Sequence, residues 1–168
     1  MTQATDMKKG LVLAGTGHRP HNLGGYNEGT YKKLGTLASL VIVQLEPVYA
    51  YCGGALGWDM YWGHALLSIG VPYTLALPFP DMGSNWCDPK DRDNLEALKE
   101  GAQDVWYASS SYSKGAYIQR DRHMVDNSEG LVSLLKPGLE DSGTYTTCQY
   151  AIDHNKPVLQ LWEPFTRL

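Results

Sequence analysis

The chain is 168 residues long, and what it is short of narrows what it can be. It has three cysteines, Cys52, Cys87 and Cys148, far apart and without a CxxC pair. That argues against a disulfide framework and against a zinc site, and no metal or cofactor is expected. No apolar run approaches the ~18 residues that span a bilayer. The four apolar residues after Lys8-Lys9 are too few for a signal peptide. A soluble, reducing, cytoplasmic setting is therefore expected. Positive charge is also in deficit, with 14 Lys and Arg against 18 Asp and Glu and a net charge of −4. Large non-specific DNA-binding surfaces need clustered cations, so nucleic acid is not expected as a partner. A small basic pocket for one phosphate stays open. There is no internal repeat, linker or low-complexity segment, and one domain is expected over 1–168 with its core at about 10–162.

What is present is enough for a real core, at 43% hydrophobic and 11% aromatic residues. Three glycine turns follow short apolar runs. Gly15-Thr16-Gly17-His18-Arg19-Pro20 follows Leu11–Ala14. Gly53-Gly54-Ala55-Leu56-Gly57-Trp58-Asp59 follows Val48–Cys52. Ser142-Gly143-Thr144-Tyr145-Thr146-Thr147 follows Leu131–Leu135 after a short loop. Glycine lets an anion approach the backbone amides with no Cβ in the way.

Periodicity predicts strands at 11–16, 48–52, 71–77, 105–108, 131–135 and 157–162. It predicts helices at 30–46, 57–69, 90–101, 114–128 and 144–154. The first helix carries Leu34, Leu37, Ala38, Val41, Ile42 and Leu45 on one face, and Pro47 closes it. The second is expected to pack through Trp58, Trp62, Ala65, Leu66 and Ile69, with Gly70 as its stop. Alternating strands and helices imply an α/β, Rossmann-like three-layer sandwich with a mainly parallel sheet. Ligands in such sheets sit outside the carboxyl ends of the strands, where all three turns can lie.

Each turn carries two readings. The amides of Thr16 and Gly17, with Arg19 as counter-charge, suit a phosphate, or the segment is an ordinary loop. It is neither a P-loop nor a dinucleotide fingerprint. Asp59 suits the helix dipole as a cap, or it hydrogen-bonds sugar hydroxyls and stabilises a cationic ribose. Ser142, Gly143 and Thr144 suit phosphate at a helix N-terminus, or Ser142 is simply an N-cap. Arg120 and Arg122 point to different sides of one helix, so one of them is expected at the site, where Arg suits bidentate phosphate contact. Trp86 either stacks on a base or pins its loop, and His64 and His154 read as surface or packed side chains.

Together these motifs, with Arg120-Asp121-Arg122-His123-Met124-Val125-Asp126, resemble the SLOG superfamily. This Rossmann-like group includes the DprA/Smf proteins and the LOG phosphoribohydrolases, and the YspA/YpsA-like branch matches best. The resemblance covers residues 10–162. It implies a nucleotide or nucleotide-derived ligand, with phosphate on Gly143-Thr144 and a catalytic part for Arg120, four residues before Met124. The LOG glutamate of the GTxxE pattern is Thr147 here, and its double glycine is Ser142-Gly143. The YspA-like branch likewise lacks that glutamate and has an aspartate where Asp59 stands.

Two functions follow as expectations. The first is hydrolysis of the N-glycosidic bond of a nucleoside 5′-monophosphate. Asp59 would be the carboxylate near the anomeric carbon, with Arg120 on phosphate or sugar. Gly15, Thr16, Gly17, Arg19, Gly53, Gly54, Ser142, Gly143 and Thr144 would hold the nucleotide, and Glu140 and Asp141 are fallback carboxylates. The second is a non-catalytic sensor or sequestering module for a nucleotide-derived signal. Single-stranded DNA binding, as in DprA relatives, is a third reading that the acidic charge weighs against. The Trp- and Tyr-rich composition and the family resemblance both suggest a homo-oligomer, a dimer or higher.

Overall fold

The computed structural model describes residues 7–168; residues 1–6 of the expected domain lie outside the described residues. Six parallel strands form one sheet: β1 (Val12–Gly17), β2 (Tyr49–Cys52), β3 (Tyr73–Leu77), β4 (Asp104–Tyr107), β5 (Gly130–Leu134) and β6 (Val158–Gln160). Their order is β4-β3-β2-β1-β5-β6, so the chain builds outward from β1 in one direction and then returns to β1's other side. The helices are α1 (Glu28–Leu45), α2 (Trp58–Ile69), α3 (Pro89–Gly101), α4 (Lys114–Asp126), α5 (Gly143–Asp153) and a short α6 (Trp162–Thr166).

Two separate cores show the three layers. Leu34, Leu37, Ile42, Trp58, Trp62, Leu66, Leu98 and Phe165 bury α1, α2, α3 and α6 against one face of the sheet. Met124, Val125, Cys148 and Ala151 bury α4 and α5 against the other. Alternation along the strands feeds both: Leu13 and Val132 point to the first core, Ala14 and Leu131 to the second.

Local chemistry sets the element ends. The Asn27 side chain accepts the Thr30 amide at 2.9 Å and starts α1 two residues earlier than the apolar periodicity suggests. Glu46 takes a left-handed conformation, φ 47°, before Pro47. Other details also differ from the sequence reading. Ile69 is 45% exposed and does not pack with the rest of α2. The last strand ends at Gln160 rather than 162, because α6 begins at Trp162. The Leu161 amide still reaches the Ser133 carbonyl at 2.8 Å, and α6 then folds Phe165 onto α1's core.

Gly15 and Gly17 have a packing reason. A Cβ on Gly15 would lie 2.6 Å from the Trp62 ring, and one on Gly17 would lie 2.5 Å from Trp58 Cβ. The two indoles stack with centroids 5.9 Å apart, and Trp62 Nε1 donates to the Tyr51 carbonyl at 3.2 Å. The bare backbone of β1 is what lets α2 press so closely on the sheet.

Candidate functional site

The segments after β1, β2, β3 and β4 surround a cleft of about 1150 Å³ at the carboxyl edge of the sheet. Aromatic rings line it from several elements. Tyr31 of α1 stacks on Tyr61 of α2, centroids 5.6 Å apart and planes 18° apart. Phe79, just past β3, meets Tyr112 and Tyr117 edge-on at 5.5 and 5.7 Å. Trp86 adds a half-buried indole from the loop before α3. It is also tied down: Arg92 Nη1 donates to its carbonyl, and a Cβ on Gly83 would lie 3.1 Å from its ring. Trp86 therefore pins the loop and lines the cleft at once.

The first two turns meet at this cleft. Arg19, Ala55 and Leu56 line it. The Trp58 amide donates to the His18 carbonyl at 3.2 Å, and a Cβ on Gly57 (φ 91°) would lie 2.5 Å from the same oxygen. Gly54 is also left-handed, at φ 69°. Thr16 is buried at the end of β1.

The third turn lies elsewhere. Ser142 caps α5: its Oγ accepts the Tyr145 amide at 3.1 Å and donates to the Leu139 carbonyl at 2.7 Å. Gly143 and Asp141 line a separate groove of about 420 Å³ along α4 and α5, with Asp121, Arg122 and Thr147. Thr144 is buried and does not line this groove. Arg122 lies over the Tyr150 ring at 5.1 Å, on the groove side, while Arg120 turns inward.

Asp59 and Arg120 come together, but as a buried pair that lines neither cavity. Arg120 Nη1 donates to the Gly53 carbonyl at 2.6 Å and to the Ala76 carbonyl at 3.4 Å, clamping the carboxyl ends of β2 and β3. Its Nε donates to Asp121 Oδ1 at 2.6 Å, and Thr147 Oγ1 donates to Asp121 Oδ2 at 3.1 Å. A Cβ on Gly53 would lie 2.6 Å from Asp59 Oδ2 and 2.9 Å from Arg120 Nη1. The glycine there makes room for both side chains. The position that holds glutamate in the LOG pattern thus holds a threonine that fastens α5 to this network.

Burial drives the Asp59 carboxyl up to about 7, against the opposing pull of Arg120 and with help from Asp121. Burial works against the Arg120 charge, but Asp121 and Asp59 outweigh it and raise its pKa. Asp59 Oδ1, His18 Nε2 and Trp58 Nε1 are buried without a hydrogen-bond partner among the described residues. Burial, His21 and Lys136 lower the His18 pKa. His64 is packed rather than exposed, its pKa lowered by burial, and His154 lies against the Tyr150 ring at 4.0 Å.

The tyrosines of the cleft were not among the sequence-predicted site residues. Tyr31 and Tyr61 sit thirty positions apart on different helices, and only the topology brings them together. The one signal was compositional: eleven tyrosines against two phenylalanines, a bias toward rings that keep a polar tip at a wet surface.

No protein-family model matches the sequence, and no curated protein does. Solved structures do match. DNA processing protein A (DprA) from Streptococcus pneumoniae superposes with TM-score 0.63 at 16% identity, covering 94% of this chain and 51% of that one. DprA from Helicobacter pylori superposes with TM-score 0.59 at 17% identity, covering 89% of this chain and 65% of that one. The chain thus spans about half of the first neighbour and just under two-thirds of the second. The Helicobacter structure concerns the single-stranded DNA binding mode of its protein. That finding corrects the expectation that nucleic acid is not a partner: this fold serves a DNA-binding protein, and a net charge of −4 summed over the whole surface does not exclude one. Among the described residues no helix is long and apolar enough to cross a membrane. The likeness establishes an α/β Rossmann-like fold, shared with DprA chains.

Proposed function

We propose that the chain binds nucleotides in the cleft at the carboxyl edge, with the base stacked on its aromatic rings. The observation that carries this is the convergence of Tyr31, Tyr61, Phe79, Trp86, Tyr112 and Tyr117 on one cavity next to Arg19 and Lys90. Every base has a π-face, and base–aromatic stacking contributes ~1–3 kcal/mol per base. The cations serve a single phosphate. Arg120 of α4 ties the carboxyl ends of β2 and β3 together, with Asp59 of α2 beside it. Their burial favours the non-catalytic function over hydrolysis of the N-glycosidic bond. The YspA/YpsA-like branch is part of the same proposal, supported by Asp59 and by Thr147 in place of the glutamate.

Calorimetric titration with nucleoside 5′-monophosphates tests it. Binding that leaves the ligand intact, and weakens in Tyr61→Ala, is expected. Free base released from a nucleotide, and lost in Asp59→Asn, would establish hydrolysis instead. A second reading is favoured by the DNA-binding Helicobacter neighbour: the cleft takes nucleotide units of a single strand. Salt-dependent binding of a labelled oligonucleotide, far tighter than that of any mononucleotide and weakened in Tyr61→Ala, would select it.

A further inference from the structure

The charges around the cleft do not match a polyanion. Glu28, Asp81, Asp88 and Asp91 line it against only Arg19 and Lys90. Asp88 is occupied in part, since its side chain accepts the Lys90 amide at 2.9 Å and caps α3. The ion pairs found among the described residues are Lys99–Glu96, Arg120–Asp121 and Arg167–Glu163, all outside this set. The cleft carboxylates therefore keep their field for whatever enters.

The aromatic rings add to that field. A ring face carries the negative part of its quadrupole and attracts cations, more strongly when water is excluded. Burial is the main reason the stacked tyrosine hydroxyls are held high, and nearby carboxylates add to it. Burial first, then Asp91, Tyr26 and Asp88, raise the Tyr31 hydroxyl. Burial, Tyr31 and Asp91 push Tyr61 up to about 12. Asp91 itself is raised by burial and by Asp88. A flat ring with a positive charge would gain from the aromatic faces and from the carboxylates together. A neutral base gains only the first.

Resting on the nucleotide-binding reading, we infer that the cleft selects nucleotides whose base is itself a cation, such as an N-alkylated purinium or a pyridinium ring. Asp81 and Asp91 neutralise the ring's charge, and Arg19 takes the single phosphate. A nucleoside triphosphate is disfavoured, because its added negative charge meets four carboxylates and only two cations.

The test is a calorimetric comparison of two matched pairs at neutral pH and low salt. One pair is N1-methyladenosine 5′-monophosphate, cationic, and its neutral isomer N6-methyladenosine 5′-monophosphate. The other is nicotinamide mononucleotide and its reduced, uncharged-ring form. The cationic member of each pair should bind about tenfold tighter. The double variant Asp81→Asn, Asp91→Asn should bring the cationic member's advantage in each pair well below tenfold, the ratio within the pair being the readout, with its folding checked by circular dichroism. Equal or tighter binding of the neutral member in either pair would overturn the inference and leave nucleotide binding standing. A preference undiminished in the double variant would overturn the role given to the carboxylates. No binding by any of the four would overturn both the inference and the nucleotide-binding reading.

Discussion

Replacing Asp59 by asparagine isolates the electrostatics of the buried Asp59–Arg120 pair. The folded chain raises this carboxyl from 3.8 to about 7, chiefly by burial. Between those values the folded state holds a proton that the unfolded state has released, so stability falls as pH rises through that window. The contribution is full below about pH 4 and gone above about pH 7. A shift of this size corresponds to about 4 kcal/mol in all, of which about 3 kcal/mol is lost between about pH 5 and pH 8. The substituted asparagine has nearly the same shape and no proton to lose. Urea unfolding of both proteins across this pH range should give stability curves that diverge as pH rises, the variant gaining on the wild type by roughly that amount. All other titrating groups are common to the two chains and cancel. Curves that stay parallel, or a variant that loses ground at high pH, would mean that Asp59 is an ordinary ionised partner of Arg120.

Other perturbations probe separate parts of the structure. Arg120→Ala removes the clamp on the Gly53 and Ala76 carbonyls and strands Asp121, and should cost ~3–5 kcal/mol in urea unfolding. Gly17→Ala places a methyl 2.5 Å from Trp58 Cβ and should destabilise by ~1–3 kcal/mol, seen as a lower Tm. Tyr61→Ala should weaken nucleotide binding by ~1–3 kcal/mol in calorimetry while far-UV circular dichroism stays the same. Gly143 has open space where a Cβ would go, so Gly143→Ala should leave stability within ~0.5 kcal/mol and leave nucleotide affinity at the cleft unchanged.

The layered α/β plan was legible because its signals are local. The stripe Leu34, Leu37, Ala38, Val41, Ile42 and Leu45 is buried in full, and Gly70 stops α2 in a left-handed conformation. The end of the chain was less legible. Leu159, Gln160, Leu161 and Trp162 read as one run, but β6 closes at Gln160 as the chain turns into α6. The glycines were the most ambiguous letters. Gly15, Gly17 and Gly53 sit in motifs that suggest an approaching anion, yet indoles, a carboxylate and a guanidinium occupy the space their side chains would take. A sequence records that a Cβ is missing, not what stands in its place. Asp59 and Arg120 were singled out together and do come together, though their burial depends on packing from several elements. The tyrosine-lined cleft depends on distant helices and loops and leaves no motif at all.

The most direct measurement is a crystal structure of the chain soaked with a nucleoside 5′-monophosphate. Density for the base against the Tyr31–Tyr61 stack or the Phe79, Tyr112 and Tyr117 rings, with the phosphate toward Arg19, is the predicted result. A nucleotide seated instead in the groove between α4 and α5, its phosphate on Gly143, would contradict the assignment of the cleft as the binding site.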